Sequence, residues 1–409
     1  MKSEKILATL SAPYRGINKK IWWLSMIMLI NRTGAMVFPF LSIYLTKHLH
    51  FGELKTGWIL STYGLGSMVG TLFGGWFSDR FGNFKIQAFS LIFAGIGWII
   101  ISHVTNYHTL LGLVFFQTMI SESLRPANSS AIASMADPAT LTKSYSLNRM
   151  AINLGFSLGP ALAGFLATIS YTLLFYVDGS SNILSGIIFL IVFNRELRAP
   201  YETGQQTTSR FRIRRDGPLF DRNFLIFCIL TILFATVFFQ LLFTLPLFYK
   251  EAYSLSDSWI GGLLAINGVI VFVSEMFLVH YLNNRVRHVY LILLGVFLVG
   301  ISFLFLNLFQ GIPWLFLSVV LISYGEIFSM PFMMTYTSNK SNEKNRGRYM
   351  AFYSLAYSIS LILAPFIGMR VIKYYSFAHL WYLVSVLTIF QLLGFYLVMR
   401  KDRVAENLT

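Results

Sequence analysis

Four carboxyl side chains inside long apolar stretches are the residues of this chain that are best suited to proton transfer. Glu122, Asp178, Glu275 and Glu326 each interrupt a run of mainly apolar residues. A charge near the centre of a bilayer costs about 2.5–3.5 kcal/mol on insertion scales, so such residues usually face a functional cavity. A carboxyl in a low-dielectric site tends to bind a proton, and it can release that proton when the site hydrates. These four residues are therefore the candidates for carrying a coupled proton.

Glu326 is the first choice among the four, because no cation lies within four positions of it along its own helix. The alternative is a neutral carboxyl that is hydrogen-bonded to a neighbouring helix. Glu122 stands three positions before Arg125, and this spacing places both on one helical face where they partly neutralise each other.

The other two carboxyls have structural alternatives as well. Glu275 can pair with His280 or Arg285, which follow it one to three helical turns later. Asp178 precedes Gly179, Ser180 and Ser181, and it can cap a break in a helix.

Further polar residues inside the apolar runs are candidates for binding a substrate. A cavity that combines arginines, carboxylates and aromatic walls suits an amphiphile with an anionic or zwitterionic group. The substrate-binding candidates are Asn31, Arg32, Arg125, Arg149, Asn153 and Tyr324.

The sequence offers no support for an enzyme, a metal site or a cofactor. It contains no Gly-x-x-x-x-Gly-Lys phosphate loop, no Cys/His ligand cluster and no carboxylate pair at catalytic spacing. The basic residues are scattered over short loops and form no continuous face, which argues against nucleic acid as a partner. The expected partners are a small-molecule substrate, protons and membrane lipid.

The elements that position these residues are membrane-spanning helices. The chain of 409 residues is 56% hydrophobic and only 12% charged, whereas a soluble domain is about 25% charged. Apolar runs long enough to cross about 30 Å of hydrocarbon recur along the whole length. We predict twelve spans, at roughly 21–46, 55–79, 85–104, 108–135, 143–168, 171–194, 222–250, 257–282, 288–308, 312–338, 345–372 and 377–400.

Charge placement predicts the orientation of these spans. An even number of spans leaves both termini on one side, and most of the 32 Lys and Arg fall on that side. The exceptions in loops are Lys47, Lys55, Lys250, Arg370 and Lys373. The positive-inside rule then places both termini in the cytoplasm. The basic start of the chain does not resemble a cleavable signal peptide.

The two halves of the sequence resemble each other. A shift of 205 positions places Pro126 on Pro331 and Pro160 on Pro365, and it also matches Gly57 with Gly262. A polar, arginine-rich segment separates the halves. We therefore predict an all-α integral membrane protein with two pseudo-symmetric six-helix bundles, at 1–194 and 222–409, joined by a cytoplasmic linker at 195–221.

The loop between the second and third predicted spans contains a Gly-x-x-x-Asp-Arg-x-Gly pattern with a trailing lysine, formed by Gly75, Asp79, Arg80, Gly82 and Lys85. This pattern resembles the cytoplasmic loop signature of major facilitator superfamily transporters, which carries two further basic residues where Asn83 and Phe84 stand. The resemblance implies the major facilitator fold and a gating role for these five residues. It also implies that Asp79 meets the start of the eleventh span, near residues 345–349.

The fifth predicted span contains Gly155, Gly159, Pro160 and Gly164. Their spacing resembles the Gly-x-x-x-Gly-Pro-x-x-x-Gly signature of the drug:proton antiporter branch of that superfamily. Gly155 and Gly159 lie on one helical face and allow another helix to approach closely, while Pro160 frees a backbone carbonyl and kinks the helix. An ordinary packing seam of small residues is the alternative.

The resemblance implies a proton-coupled secondary transporter of the bacterial inner membrane that exports amphiphilic small molecules as a monomer. The proton gradient is the expected energy source. A proton-coupled importer of a nutrient, a peptide-like compound or a siderophore is the alternative, since the fold serves both directions. A channel or scaffold is a third possibility, which a saturable flux driven by pH would exclude.

Overall fold

The computed structural model describes residues 16–137, 140–198, 217–282, 285–341 and 345–406. Within these ranges the chain is built from helices and contains no β-strand. This agrees with the prediction of an all-α protein.

The first half contains nine helices among its described residues. Helix α1 ends at Thr33 and α2 begins at Val37, so one predicted span is interrupted near its middle. The helices are α1 Lys19–Thr33, α2 Val37–Ile43 with a π-helical turn at Tyr44–His48, α3 Gly52–Phe81, α4 Asn83–Ile101, α5 Tyr107–Glu122, α6 Leu124–Met135, α7 Leu141–Ala167, α8 Tyr171–Val192 and the short α9 Asn194–Arg198.

The second half repeats this plan, again with an interrupted first span. Its helices are α10 Arg222–Phe238, α11 Gln240–Phe243, α12 Leu245–Ala252, α13 Asp257–Leu282, α14 His288–Leu308, α15 Ile312–Lys340, α16 Arg346–Tyr374 and α17 Phe377–Glu406. A short 3₁₀ turn at Pro218–Phe220 precedes α10.

Ten helical segments of the described chain are long and apolar enough to cross a membrane. The two remaining predicted spans correspond to α3 and to the pair α5 and α6. Helix α3 is 30 residues long, but its glycines and hydroxyl side chains make it less apolar. Helix α5 is only 16 residues long and is separated from α6 at Ser123. The chain is therefore a multi-pass membrane protein.

The two halves contact each other mainly along two antiparallel helix pairs, α7 with α13 and α3 with α16. Residues 199–216 of the predicted linker lie outside the described residues. Asn283 and Asn284 also lie outside them, and the shift of 205 positions places Asp79 on Asn284. The domain boundaries therefore remain a prediction.

Glycine residues allow the two helices of each pair to approach each other closely. A Cβ atom on Gly261 of α13 would lie 2.3 Å from the Pro160 carbonyl oxygen of α7, and one on Gly164 would lie 2.8 Å from the Gly261 Cα. In the other pair, a Cβ on Gly64 of α3 would lie 2.6 Å from the backbone of Leu361. Neither contact tolerates a side chain, so these glycines allow the halves to touch.

We call the end of the bundle where α1 begins the terminal side and the other end the opposite side. On the opposite side, charged and polar side chains join the two halves. Lys47 Nζ lies 2.7 Å from Glu251 Oε1, and Lys373 Nζ lies 3.5 Å from Glu53 Oε2. In addition, the Tyr171 hydroxyl donates to Asp257 Oδ1 at 2.9 Å. These links hold the opposite side closed.

Candidate functional site

A cavity of about 740 Å³ lies between the two halves, near the middle of the helices. Both halves contribute walls, and aromatic side chains line much of the surface. The polar and charged lining residues are Arg32, Tyr63, Ser67, Thr71, Glu122, Arg125, Ser129, Asn153, Asn267, Glu326, Tyr353, Ser354, Tyr357 and Ser358.

The cavity communicates with solvent on the terminal side. The side chain of Arg125 lines the cavity and is nevertheless 56% exposed. On the opposite side the cavity is sealed by the glycine contacts of α7 with α13 and of α3 with α16. Thr71 and Ser354 lie where the α3–α16 contact separates, and both line the cavity.

Glu326 faces this cavity from α15. Its Oε2 accepts a hydrogen bond of 3.3 Å from Asn267 Nδ2 on α13, and the same amide group donates to Ser323 Oγ at 3.1 Å. Within the described part of the chain, no Lys or Arg forms an ion pair with Glu326. Among the residues that the structure describes, the only hydrogen-bond partner of the carboxyl is thus a neutral amide, and this environment is compatible with either protonation state.

Glu122 and Arg125 form the ion pair that their spacing predicts. Arg125 Nε lies 2.7 Å from Glu122 Oε2. Glu122 is buried, whereas the arginine extends into the open cavity. The pair therefore provides one neutralised charge on the wall formed by the first half.

Asp178 lies outside the cavity lining and caps the interruption of the first span. Its Oδ2 accepts hydrogen bonds from the backbone N–H groups of Met36 at 3.1 Å and Val37 at 3.2 Å. Its Oδ1 accepts from Asn182 Nδ2 at 2.9 Å. The predicted helix break exists, but it is in the first span and not in the helix of Asp178, since α8 is continuous.

Asn31 belongs to the same buried network, because its Nδ2 donates to Asn182 Oδ1 at 2.7 Å. It is 5% exposed and does not line the cavity. The structure thus places this predicted binding residue behind the cavity wall, where it fixes α1 against α8.

Glu275 pairs with Arg149 of the other half, and not with the predicted His280 or Arg285. A partner on its own helix was expected from spacing alone, but α7 and α13 run side by side and bring Arg149 within hydrogen-bonding distance. Arg285 instead lies over the ring of Tyr281, at 3.9 Å. Neither Glu275 nor Arg149 lines the cavity, so the pair is a contact between halves.

Of the remaining predicted binding residues, one lines the cavity and one does not. Asn153 lines the cavity from α7. Tyr324 does not line it, and its ring stacks on Phe328 with the centroids 6.1 Å apart.

The predicted gating loop lies at the terminal side, between α3 and α4. Asp79 is exposed and makes no hydrogen bond or ion pair with any described residue, including the start of α16. Arg80 lies over the Trp76 ring at 5.3 Å, and Lys85 is exposed. Gly82 has a φ of +96°, which favours glycine, whereas Gly75 has room for a side chain.

The span-five glycines lie on two different interfaces. A Cβ on Gly155 would be 2.6 Å from Arg32 Cβ, and one on Gly159 would be 3.3 Å from the Arg32 carbonyl oxygen. Gly164 and Pro160 contact α13 of the other half instead. The spacing predicts that another helix approaches α7 closely, and the structure shows that the end of α1, which carries Arg32, does so.

Sequence reasoning missed several lining residues, among them Asn267, Tyr357 and Phe156. Asn267 is a polar residue in an apolar helix, so the rule that found Glu326 would also have found it. The Tyr357 hydroxyl accepts a hydrogen bond of 3.2 Å from the Tyr353 hydroxyl, and the Phe156 ring lies beside Arg32. No sequence signal separates these aromatic residues from the many that face lipid.

A family model described as Major Facilitator Superfamily matches residues 21–365, with a second match over 277–409. Among curated proteins, a Na⁺, Li⁺, K⁺/H⁺ antiporter of Planococcus maritimus is 25% identical over 82% of this chain and 85% of its own length. The quinolone resistance protein NorA of Staphylococcus aureus (strain COL) is 26% identical over 80% of this chain and 84% of its own length.

Solved structures share the fold at lower identity. A nucleoside transporter, NupG, superimposes with a TM-score of 0.80 at 11% identity, covering 92% of this chain and 99% of that one. A peptide transporter, POT, in complex with sulfate gives a TM-score of 0.76 at 16% identity, covering 95% of each chain.

Proposed function

Because the chain belongs to the major facilitator superfamily, we propose that it is a proton-coupled secondary transporter that exports amphiphilic small molecules by alternating access. It is a membrane transporter and not an enzyme. The observation that supports proton coupling most directly is the placement of Glu326, which faces the cavity between the halves with only a neutral hydrogen-bond partner.

The proposed architecture is that of twelve transmembrane helices in two six-helix bundles. In this architecture α3 forms the second span, and α5 together with α6 forms the fourth. Both termini and the linker at 195–221 lie in the cytoplasm, as the distribution of Lys and Arg favours. The location is the inner membrane of a bacterium, and the functional unit is a monomer without a cofactor.

With this orientation the terminal side is cytoplasmic, and the cavity is open to the cytoplasm. The ion pairs Lys47–Glu251 and Lys373–Glu53 close the outer side. A substrate enters the open cavity from the cytoplasm while Glu326 gives up its proton to that side. After the halves rock to the outward-open state, a proton from outside binds Glu326 and the substrate leaves.

Export is proposed over import because of the branch that the sequence resembles. The span-five pattern is that of drug:proton antiporters, and one relative is named for quinolone resistance. The aromatic lining, including Tyr63, Phe156 and Tyr353, suits flat apolar molecules.

Transport by the purified protein in liposomes tests this proposal. The probes are rhodamine B, a zwitterionic dye with one carboxylate, and its permanently cationic ethyl ester. Proton antiport predicts that dye accumulates in liposomes with an acidic lumen, above the level in protein-free liposomes. Accumulation only with an alkaline lumen would indicate symport and contradict export. Loss of the pH gradient on adding NaCl or KCl without dye would indicate cation/proton exchange instead.

A further inference from the structure

Arg32 carries a buried guanidinium group that forms no ion pair with any residue the structure describes. The residue is 8% exposed and lines the cavity. Its Nε has no hydrogen-bond partner, and the described residues provide no ion pair for it. A guanidinium has five N–H donors, and leaving a buried charged group unsatisfied is costly.

Arg125, the other arginine of the cavity, is in a different state. Glu122 lies 2.7 Å from its Nε and neutralises it, and its side chain is more than half exposed. Asp178 is taken up by the backbone N–H groups of Met36 and Val37. The wall formed by the first half therefore has two guanidinium groups, on Arg32 and Arg125, but only the Glu122 carboxylate to pair with them. One positive charge, that of Arg32, remains without an ion pair.

The fold holds this charge in place from both sides. On one side, Gly155 and Gly159 of α7 pack directly on the backbone of Arg32. On the other side, the first span is interrupted after Thr33, and a Cβ on Gly34 would lie 1.7 Å from Ser181 Oγ of α8. The backbone that carries Arg32 therefore cannot shift toward either neighbour, which preorganises the guanidinium.

Aromatic rings surround the same position. The Arg32 Cζ lies 5.4 Å from the centre of the Phe156 ring. Phe38, which follows the break, stacks on Tyr63 with the ring centroids 4.6 Å apart. A flat aromatic molecule can thus lie against these rings while an acidic group on it reaches the guanidinium.

We propose that Arg32 is the anion-binding subsite of the cavity and that it binds the carboxylate of an aromatic amphiphile. This inference rests on the proposed function and specifies the class of substrate. A monoanionic, planar carboxylate matches the single unpaired charge and the forked donors of arginine. A doubly charged group would meet Glu122 and Glu326 in the same cavity.

Binding of rhodamine B and of its ethyl ester tests the assignment, because the two dyes differ only at the carboxylate. Dissociation constants are measured by fluorescence anisotropy on the purified wild type, Arg32→Gln, Arg32→Lys and the double variant Glu122→Gln, Arg125→Gln. We expect Arg32→Gln to weaken binding of the acid by at least about tenfold, as for loss of one charge-assisted pair. The ester should bind within about twofold of wild type, which also shows that the variant is folded.

Arg32→Lys should give an intermediate loss for the acid, because it keeps the charge without the fork. The double variant Glu122→Gln, Arg125→Gln removes both charges of the pair and leaves the net charge of the cavity unchanged, so it should change binding of the acid and of the ester by the same factor. If Arg32→Gln weakens both dyes equally, or weakens neither, the assignment is wrong while the proposed function stands. If the wild type binds neither dye, the proposed function fails and this inference fails with it.

Discussion

Glu122 determines how many free charges the cavity contains, because it is the only carboxylate paired with an arginine in the lining. We expect Glu122→Gln to weaken binding of the cationic ester, because Arg125 becomes a second unpaired positive charge in the cavity. We also expect it to lower stability by about 1–2 kcal/mol, less than for a fully buried pair since Arg125 is exposed to water. Thermal unfolding and dye binding of the purified variant measure both effects.

The double variant Glu122→Gln, Arg125→Gln is the control, since it removes both charges of the pair together. It should recover part of the stability lost in Glu122→Gln. A double variant that is less stable than either single variant would contradict the pairing.

At the scale of elements, the interruption between α1 and α2 is held by a single carboxylate. Removing it leaves the N–H group of Val37 without an acceptor, at about 1–3 kcal/mol for an unsatisfied buried group, whereas the N–H group of Met36 keeps the Gly34 carbonyl oxygen at 2.7 Å. We expect Asp178→Ala to lower the unfolding temperature clearly and Asp178→Asn to lower it less, since asparagine keeps one oxygen acceptor. Thermal unfolding in detergent measures the difference.

The same variants distinguish a cap from a proton carrier. If Asp178→Asn retains stability and dye exchange but loses all transport driven by the pH gradient, Asp178 carries the proton and the capping role is secondary. Because Asp178 caps the start of α2 and lies outside the cavity lining, we expect Asp178→Asn to keep pH-driven transport.

The contact between α7 and α13 supports a second prediction at this scale. A Cβ on Gly261 would lie 2.3 Å from the Pro160 carbonyl oxygen, whereas a Cβ on the adjacent Gly262 meets nothing within 4 Å. We expect Gly261→Ala to separate the halves on the opposite side and to slow transport severely. The matched control Gly262→Ala should transport dye at nearly the wild-type rate. Equal rates for the two variants would show that this contact is not required.

Hydropathy and length predict the helices well because each span must satisfy its own backbone hydrogen bonds in lipid. The predicted span at 288–308 coincides with α14. The partners of Asp178 and Glu275 were not predictable, because they lie on helices distant in sequence. The pairing of Glu122 with Arg125 was predictable, since both belong to one continuous helical face.

At the scale of the whole molecule, α3 and α16 touch on the opposite side, whereas α7 and α13 stay in contact as far toward the terminal side as the Arg149–Glu275 pair. Along α3 and α16, Gly64 meets Leu361 and the pair then opens at Thr71 and Ser354. Continuing the same antiparallel register places Asp79 beside Arg346, at the start of α16. Asp79 is exposed in the present conformation, so we expect this contact only in a state in which the terminal side is closed.

We expect Asp79→Asn to shift the population toward the state observed here, because a carboxylate at a helix N-terminus contributes about 0.3–1 kcal/mol. A reporter cysteine at Ser354 should then be labelled faster from the terminal side, with little background from the buried Cys228. Asp137→Asn, at another exposed aspartate on that side, should leave labelling unchanged. Unchanged labelling in Asp79→Asn would show that Asp79 does not stabilise the closed terminal side.

The central claim is that Glu326 couples proton movement to transport, and Glu326→Gln tests it most directly. Glutamine keeps the shape and accepts the same hydrogen bond from Asn267, but it cannot titrate. The variant is reconstituted in liposomes, and dye exchange at equal pH is compared with dye accumulation against a pH gradient. We predict that exchange remains close to the wild-type rate while accumulation is lost. Accumulation at the wild-type level in Glu326→Gln would contradict the account and move the coupled proton to another carboxyl group.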